Sequence, residues 1–544
     1  MAQRNRVLAA LVVGMFVASC GGGTTSPVSP GGSAGASGAS GAPAPSTAPS
    51  AAGEPTRGGE VTLSAFEDAD TLDPTFSGTA GTRLILINTC EKLYDLDAAG
   101  GLIPQLASAM PTVDGLKMTI PLREGVKFND GTPMDAASVV TSLERHRTLE
   151  ESRRAGELGS VASVAAEGTN AVVLTLSKPD SALTGALSDR AGMIMSPAKL
   201  DELGTDFGNF PVCVGPFSFV ERVVGDHTTL ERSEHYYDAD TVYLDRIIYR
   251  PIADETVRTA NLRSGDLQLL DRVATTDVAG LEGDSAYVVA KKVSNAYTSL
   301  YVNLANANGI TGEPGTVTNP LADPKLREAF DLALDREQIN EIVYTGLQEP
   351  GCGPISPASP FYTDPGCPTR DIEAAKKLVA ESGVATPIKV RFNMQSTPVN
   401  TRLGELIQTQ TAEAGFEVEL IPLDNAAAFQ KQNDGDFDLT LARWSGRVDP
   451  DANIYRFHHS TGSDNYGKLN DPEIDALLQA AREEYDPEAR KGIYAQVVEK
   501  LLAQRHNLTF QHEVLYSAYT ADLKGFEVYV DGMPRLAHAY LSGG

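Results

Sequence analysis

Among its 544 residues the chain has one tryptophan, Trp444, and five cysteines. Basic residues are also scarce, 45 against 72 acidic ones, for a formal net charge of −27. So acidic a surface argues against nucleic acid, or an anionic membrane surface, as the main partner. It does not fix the charge of any one pocket. The apolar run at 7–17 is too short to span a bilayer as a mature helix. No HExxH, P-loop or dinucleotide fingerprint occurs. Gly31-Gly32-Ser33-Ala34-Gly35 has nucleophile-elbow spacing but lies in a Gly/Ala/Ser/Pro tract with no flanking strand. His458-His459 reads as a solvated pair in a polar loop, not a metal site. Paired carboxylates are too common in this chain to mark a catalytic dyad. The expectation is binding rather than catalysis, with no catalytic residue, metal or cofactor.

What the sequence does contain is most telling at 109–142. Leu116, Met118, Ile120 and Leu122 alternate with Lys117, Thr119, Pro121 and Arg123, the period of a half-buried strand. Pro121 donates no ladder hydrogen bond and suits an edge. Asn129-Asp130-Gly131 is turn chemistry. Asp135 is placed to cap a helix whose apolar face is Ala136, Val139, Val140 and Leu143. Further on, 388–444 reads as strand, helix, strand, short helix, strand: 388–394, 399–414, 416–423, 425–432 and 437–444. Short links between alternating elements predict a parallel sheet with right-handed crossovers. Ligands in such sheets bind beyond the carboxyl ends of the strands. Asp371 caps a helix over 372–382 that Gly383 ends, and Asp-Pro pairs open helices at 471 and 486.

The string DGLKMTIPLREGVKFNDGTPMDAASVV closely resembles the signature of family 5, peptide-type solute-binding proteins, the extracytoplasmic receptors of ABC importers. Pro211-Val212-Cys213-Val214-Gly215-Pro216-Phe217 is similar to that family's return strand, with Cys213 and Val214 in place of the usual Gly and Thr. NPLADPKLREAFDLALDREQI, at 319–339, resembles another family helix. The resemblance runs from about Gly59 to the C-terminus. It implies an α/β, two-lobe periplasmic-binding fold (type II, cluster C-like) with an extra inserted subdomain. The expected division is 58–89, 211–297 and 508–544 for the first lobe, 90–210 for the insert and 298–507 for the second lobe. It further implies a monomer that captures a peptide or peptide-like solute by lobe closure and delivers it to ABC permease subunits.

The N-terminus reads as an address. Arg4 and Arg6 precede the apolar run, which ends in Val17-Ala18-Ser19-Cys20. This resembles a bacterial lipobox and implies a signal at 1–19, lipidation of Cys20, and anchoring to the outer face of the cell membrane. A flexible tether over 20–57 follows. Four cysteines remain in an oxidising location. Cys352 and Cys367 flank a Pro- and Gly-rich loop, so a local disulfide is expected. Cys90 with Cys213 is then left as a pair that sequence does not fix. Metal ligation lacks CxxC spacing or a His cluster to support it.

The carboxyl-end rule selects two candidate binding segments. One is 395–402, where a helix N-terminus offers free N–H groups near Asn400 and Arg402 presents a carboxylate-binding fork. The other is Trp444-Ser445-Gly446-Arg447-Val448-Asp449-Pro450-Asp451, where the family's W-x-x-x-x-D-P ligand segment falls. Cys213 and Val214 join the candidates if the return strand borders the pocket. Dipeptide-binding relatives grip the peptide amino terminus with an Asp near the position of Arg447, leaving Asp449 or Asp451 as substitutes. They hold the carboxylate with an Arg near Arg402. Arginine at both places implies a second reading, a receptor for opine-like or other acidic amino-acid conjugates. An extracytoplasmic hydrolase and a surface scaffold are the remaining classes.

Overall fold

The computed structural model describes residues 55–543; the expected signal, Cys20 and the expected tether as far as residue 54 lie outside them. The described chain is a mixed α/β structure built around one eleven-stranded sheet. Two long antiparallel strands, Tyr287–Val302 and Asn507–Thr520, run through its middle. On one side strand Leu439–Trp444 pairs with Tyr287–Val302, followed by the parallel strands Ile388–Gln395 and Phe416–Leu423. On the other, Leu269–Leu270, Glu60–Ala65, Arg246–Pro251, His227–Arg232 and Phe217–Val223 continue from Asn507–Thr520. The two long strands therefore belong to both halves. Their ladder is irregular between Val293 and Tyr297 and again between Thr298 and Ser299. Such bulges bend a strand and re-aim its side chains, and here they fall where the halves meet.

Each half has its own apolar core. Val61, Leu63, Ile247, Leu230 and Leu84 share one. Phe392, Val390, Phe330, Ile407 and Leu441 share another. A four-stranded sheet made from residues 112–176 packs on helix Ala136–Thr148 over a third, with Met118, Ile120, Val139 and Leu143. The signature stretch forms the strand, turn and helix that its pattern predicts. Asp135 accepts from Ser138 N at 2.9 Å, and Ser138 completes a capping box. Lys117–Pro121 is an interior strand, contrary to the edge expectation for Pro121. The proline is tolerated because the neighbouring strand Thr112–Asp114 pairs only with 117–119. Beyond its end the Pro121 carbonyl accepts from Ser108 N.

Both disulfides form. Cys90–Cys213 ties residues 123 apart in sequence, with Cα atoms 4.9 Å apart; Cys352–Cys367 closes its Pro/Gly-rich loop with Cα atoms 5.5 Å apart. Among the described residues no helix is long and apolar enough to cross a membrane, and no group of His, Cys, Asp and Glu is arranged to hold a metal ion.

Candidate functional site

Strand Leu439–Trp444 is the one of the three parallel strands that lies against the central pair, so its carboxyl end, unlike that of Ile388–Gln395, faces the opposite half of the sheet. The chain then turns at Gly446, whose φ of 73° suits glycine; a Cβ there would lie 2.3 Å from the Asn295 carbonyl carbon. This close approach seats the 445–447 loop on the bulge of the long strand. A cavity of about 60 Å³ opens there. The parallel-sheet half contributes Arg443, Ser445 and Arg447 to its wall, and the central strands contribute Ser294, Ala296, Glu513 and Leu515. Opposite stand Thr79, Arg83, Arg190, Arg272, Asp531 and Met533.

Five guanidiniums and two carboxylates thus face one small space in a chain of strongly negative net charge. The carboxylates are already engaged. Glu513 pairs with Arg443 and, at 3.7 Å, with Arg272. Burial opposes its ionisation, yet Arg443 and Arg272 hold its carboxyl below the usual range. Asp531 accepts from Arg83 at 3.2 Å and from Arg535 at 2.7 and 2.9 Å. Behind the wall, partly buried Asp189 accepts from Arg83 at 3.0 Å and lies 3.8 Å from Arg190.

Arg447 differs. Among the described residues no carboxylate lies within ion-pair distance of it; its guanidinium donates to Ser445 Oγ at 3.0 Å and to the Gly446 carbonyl at 2.6 Å. Its plane lies 4.6 Å from the Trp444 ring centroid, a cation–π contact. Burial, with repulsion from Arg83 and Arg190, pushes its pKa down to about 10 against the attraction of Asp189 and Glu157. Arg190 is 4 % exposed and has Asp189 3.8 Å from its Nε, but that Nε makes no hydrogen bond. A cation held in this way is stabilised by any anion that enters.

The other expected positions are distributed differently. Trp444 is half-buried beside the cavity, with Nε1 donating to Asn453 Oδ1 at 2.8 Å and its ring edge-on to Phe457. Asp449 and Asp451 are buried and consumed: Arg490 donates to Asp449 at 2.5 and 2.8 Å, and Arg482 to Asp451 at 2.7 and 2.8 Å. These acids fix the loop and are not free to receive an ammonium. Arg402 is exposed on helix Pro398–Ala412 and donates to the Val343 carbonyl at 3.5 Å. Asn400 donates to the Gln395 carbonyl at the start of that helix. Neither lines the cavity, because their strand is one place removed from the central pair. Cys213 is in the disulfide and Val214 lies in the core under the four-stranded sheet, both away from the wall. Arg83, Arg190, Arg272, Glu513 and Asp531 were not foreseen. The available signal was an arginine inside an otherwise apolar helix, Thr82-Arg83-Leu84-Ile85-Leu86, since a buried charge needs a partner.

Residues 101–465 match the profile of the bacterial extracellular solute-binding proteins, family 5. The glutathione-binding protein GsiB of Escherichia coli K12 is 24 % identical over 490 residues, covering 87 % of this chain and 92 % of GsiB. Among solved structures, the ABC transporter substrate-binding protein CtaP of Listeria monocytogenes superposes with a TM-score of 0.79 at 22 % identity, over 89 % of this chain and 100 % of CtaP. AgaA from A. tumefacien R10, solved with agropinic acid, gives a TM-score of 0.72 at 26 % identity, over 89 % and 99 %.

Proposed function

The chain belongs to the bacterial extracellular solute-binding proteins of family 5 and is a substrate-binding protein of an ABC importer, and we propose that its cargo is an acidic, peptide-like solute held in the arginine-lined cavity. The observation that carries this reading is Arg447, a guanidinium on the wall without a carboxylate partner among the described residues. A carboxylate from the solute completes it with charge-assisted hydrogen bonds, which are about twice as strong as neutral ones. GsiB binds glutathione, an acidic peptide, and supports the same cargo class. AgaA favours a second reading, an opine-like conjugate, which is also an acid.

Capture proceeds by lobe closure. A volume of about 60 Å³ is well below the ~300–1,000 Å³ of ordinary small-molecule sites. A solute therefore enters only when the walls part, and the bulged strands at 293–299 are where a hinge would bend. We take 298–507 as one lobe and 58–297 with 508–544 as the other, residues 90–210 being the latter's insert. The protein binds its cargo without transforming it, acts as a monomer, and is held at the membrane by lipidated Cys20, a reading supported by the lipobox-like Val17-Ala18-Ser19-Cys20.

Thermal unfolding of the full chain against glutathione, acidic and neutral di- to hexapeptides, agropinic acid and sugars tests this. At a hundredfold the dissociation constant a ligand adds about 2.7 kcal/mol to native stability. Midpoints rise with acidic peptides if the proposal holds. A rise with agropinic acid alone replaces the cargo by an opine-like acid. A rise with sugars alone, or with neutral peptides alone, overturns it.

A further inference from the structure

In this cavity a peptide's two ends meet unequal surroundings. An ammonium brought between the lobes loses water and needs an unengaged anion to compensate. The wall offers none. Glu513 is shared by Arg443 and Arg272, and Asp531 by Arg83 and Arg535. The acids of the neighbouring loop, Asp449 and Asp451, are each closed in a two-point pair with an arginine of their own half. Taking Glu513, Asp449 or Asp451 for a solute would strand a guanidinium, of which Arg490 is almost wholly buried, and taking Asp531 would leave Arg83 with Asp189 alone and Arg535 with Asp95 alone. Anions meet the opposite situation, with Arg447 lacking an acid among the described residues and Arg190 keeping a buried Nε that makes no hydrogen bond, its nearest acid being Asp189 at 3.8 Å.

Resting on the peptide-like cargo proposed above, we infer that the receptor holds its solute through anionic groups alone and forms no ion pair with an amine. Solutes whose amine is acylated or otherwise substituted are then bound as well as those whose amine is free. The chemical class is that of N-substituted acidic amino acids and peptides together with their unsubstituted forms. The five guanidiniums also disfavour any cationic end group by direct repulsion. Removing the positive charge of the amine by acylation therefore costs nothing, whereas removing the negative charge of a carboxylate costs the main anchor.

Calorimetric titration of the full chain with matched probes tests the inference. The probes are L-alanyl-L-glutamate and glutathione, each as the free acid, the N-acetyl derivative and the fully amidated form. The expected result is a dissociation constant altered less than threefold by acetylation and raised at least thirtyfold by amidation. If acetylation abolishes binding of a probe that binds freely, the inference is overturned while the peptide-receptor reading stands. Equal binding of amides and acids overturns it as well. If none of the six probes binds and peptides of other lengths also fail, the peptide-like cargo itself is refuted, and this inference with it.

Discussion

Arg490 closes on Asp449 through two hydrogen bonds, at 2.5 and 2.8 Å, with the two side chains only 5 % and 6 % exposed. A further contact runs from Arg490 to the Tyr494 hydroxyl at 3.1 Å. The pair anchors the loop that carries Arg447 to helix Pro487–Gln504, four residues into which Arg490 sits. The loop's position, and so the aim of Arg447, depends on an acid that is fully engaged by Arg490.

Replacing Asp449 with alanine leaves a buried guanidinium without its counter-charge. Breaking such a pair from one side costs about 3–5 kcal/mol. Urea denaturation should show a loss of that size, largely recovered in Asp449→Leu combined with Arg490→Met, which removes both charges. If Asp449→Ala unfolds at the wild-type midpoint but no longer binds solute, Asp449 is a ligand anchor and the structural role assigned to it is wrong.

Arg402 supplies a contrasting case. It is exposed, off the cavity wall, and donates to the Val343 carbonyl at 3.5 Å. Arg402→Ala should leave solute affinity within twofold of wild type, as measured by calorimetry. A tenfold loss would place the solute at the end of strand Ile388–Gln395 instead.

Much of the architecture was legible in the sequence because it rests on local chemistry. Asp135, Asp371 and Asp486 each cap the helix expected of them, and 388–444 forms the expected parallel unit. The site was only half legible. Ser445 and Arg447 follow from the carboxyl-end rule, but that rule could not choose between two strand ends. The choice depends on which strand adjoins the central pair, a long-range property. Arg83, Arg190, Arg272, Glu513 and Asp531 come from five separated segments, and nothing local marks their convergence. Asp449 and Asp451 looked available because their partners, Arg490 and Arg482, stand 41 and 31 residues further along.

Acid sensitivity follows from buried histidines. His458 Nδ1 and His506 Nε2 are 2.8 Å apart, and both rings are about 1 % exposed. Burial, aided by the nearby Arg327 charge, lowers His506 to about 3. Burial, with His506 beside it, also takes His458 well below its usual value. An unfolded histidine titrates near ~6.5. Below that pH the unfolded chain binds protons that the folded chain refuses, so this contribution to stability is lost on acidification. Each such histidine accounts for about 1.4 kcal/mol per pH unit. Between pH 7.5 and pH 5, wild type should therefore lose about 2 kcal/mol more stability than His506→Gln, as read from denaturant midpoints at both pH values. Parallel losses would contradict the assignment.

The central claim is that Arg447, a cavity-wall cation with no carboxylate partner among the described residues, receives an acidic solute. Its most direct test is a calorimetric comparison of wild type with Arg447→Gln, using whichever acidic peptide of the thermal panel binds tightest. One charge-assisted hydrogen-bonded contact is worth about 1.5–3 kcal/mol, so the variant should bind roughly 10- to 150-fold more weakly, with an unchanged unfolding midpoint in the absence of solute. Wild-type affinity in Arg447→Gln, with the fold intact, would contradict the claim and move the anchor to another part of the cavity wall.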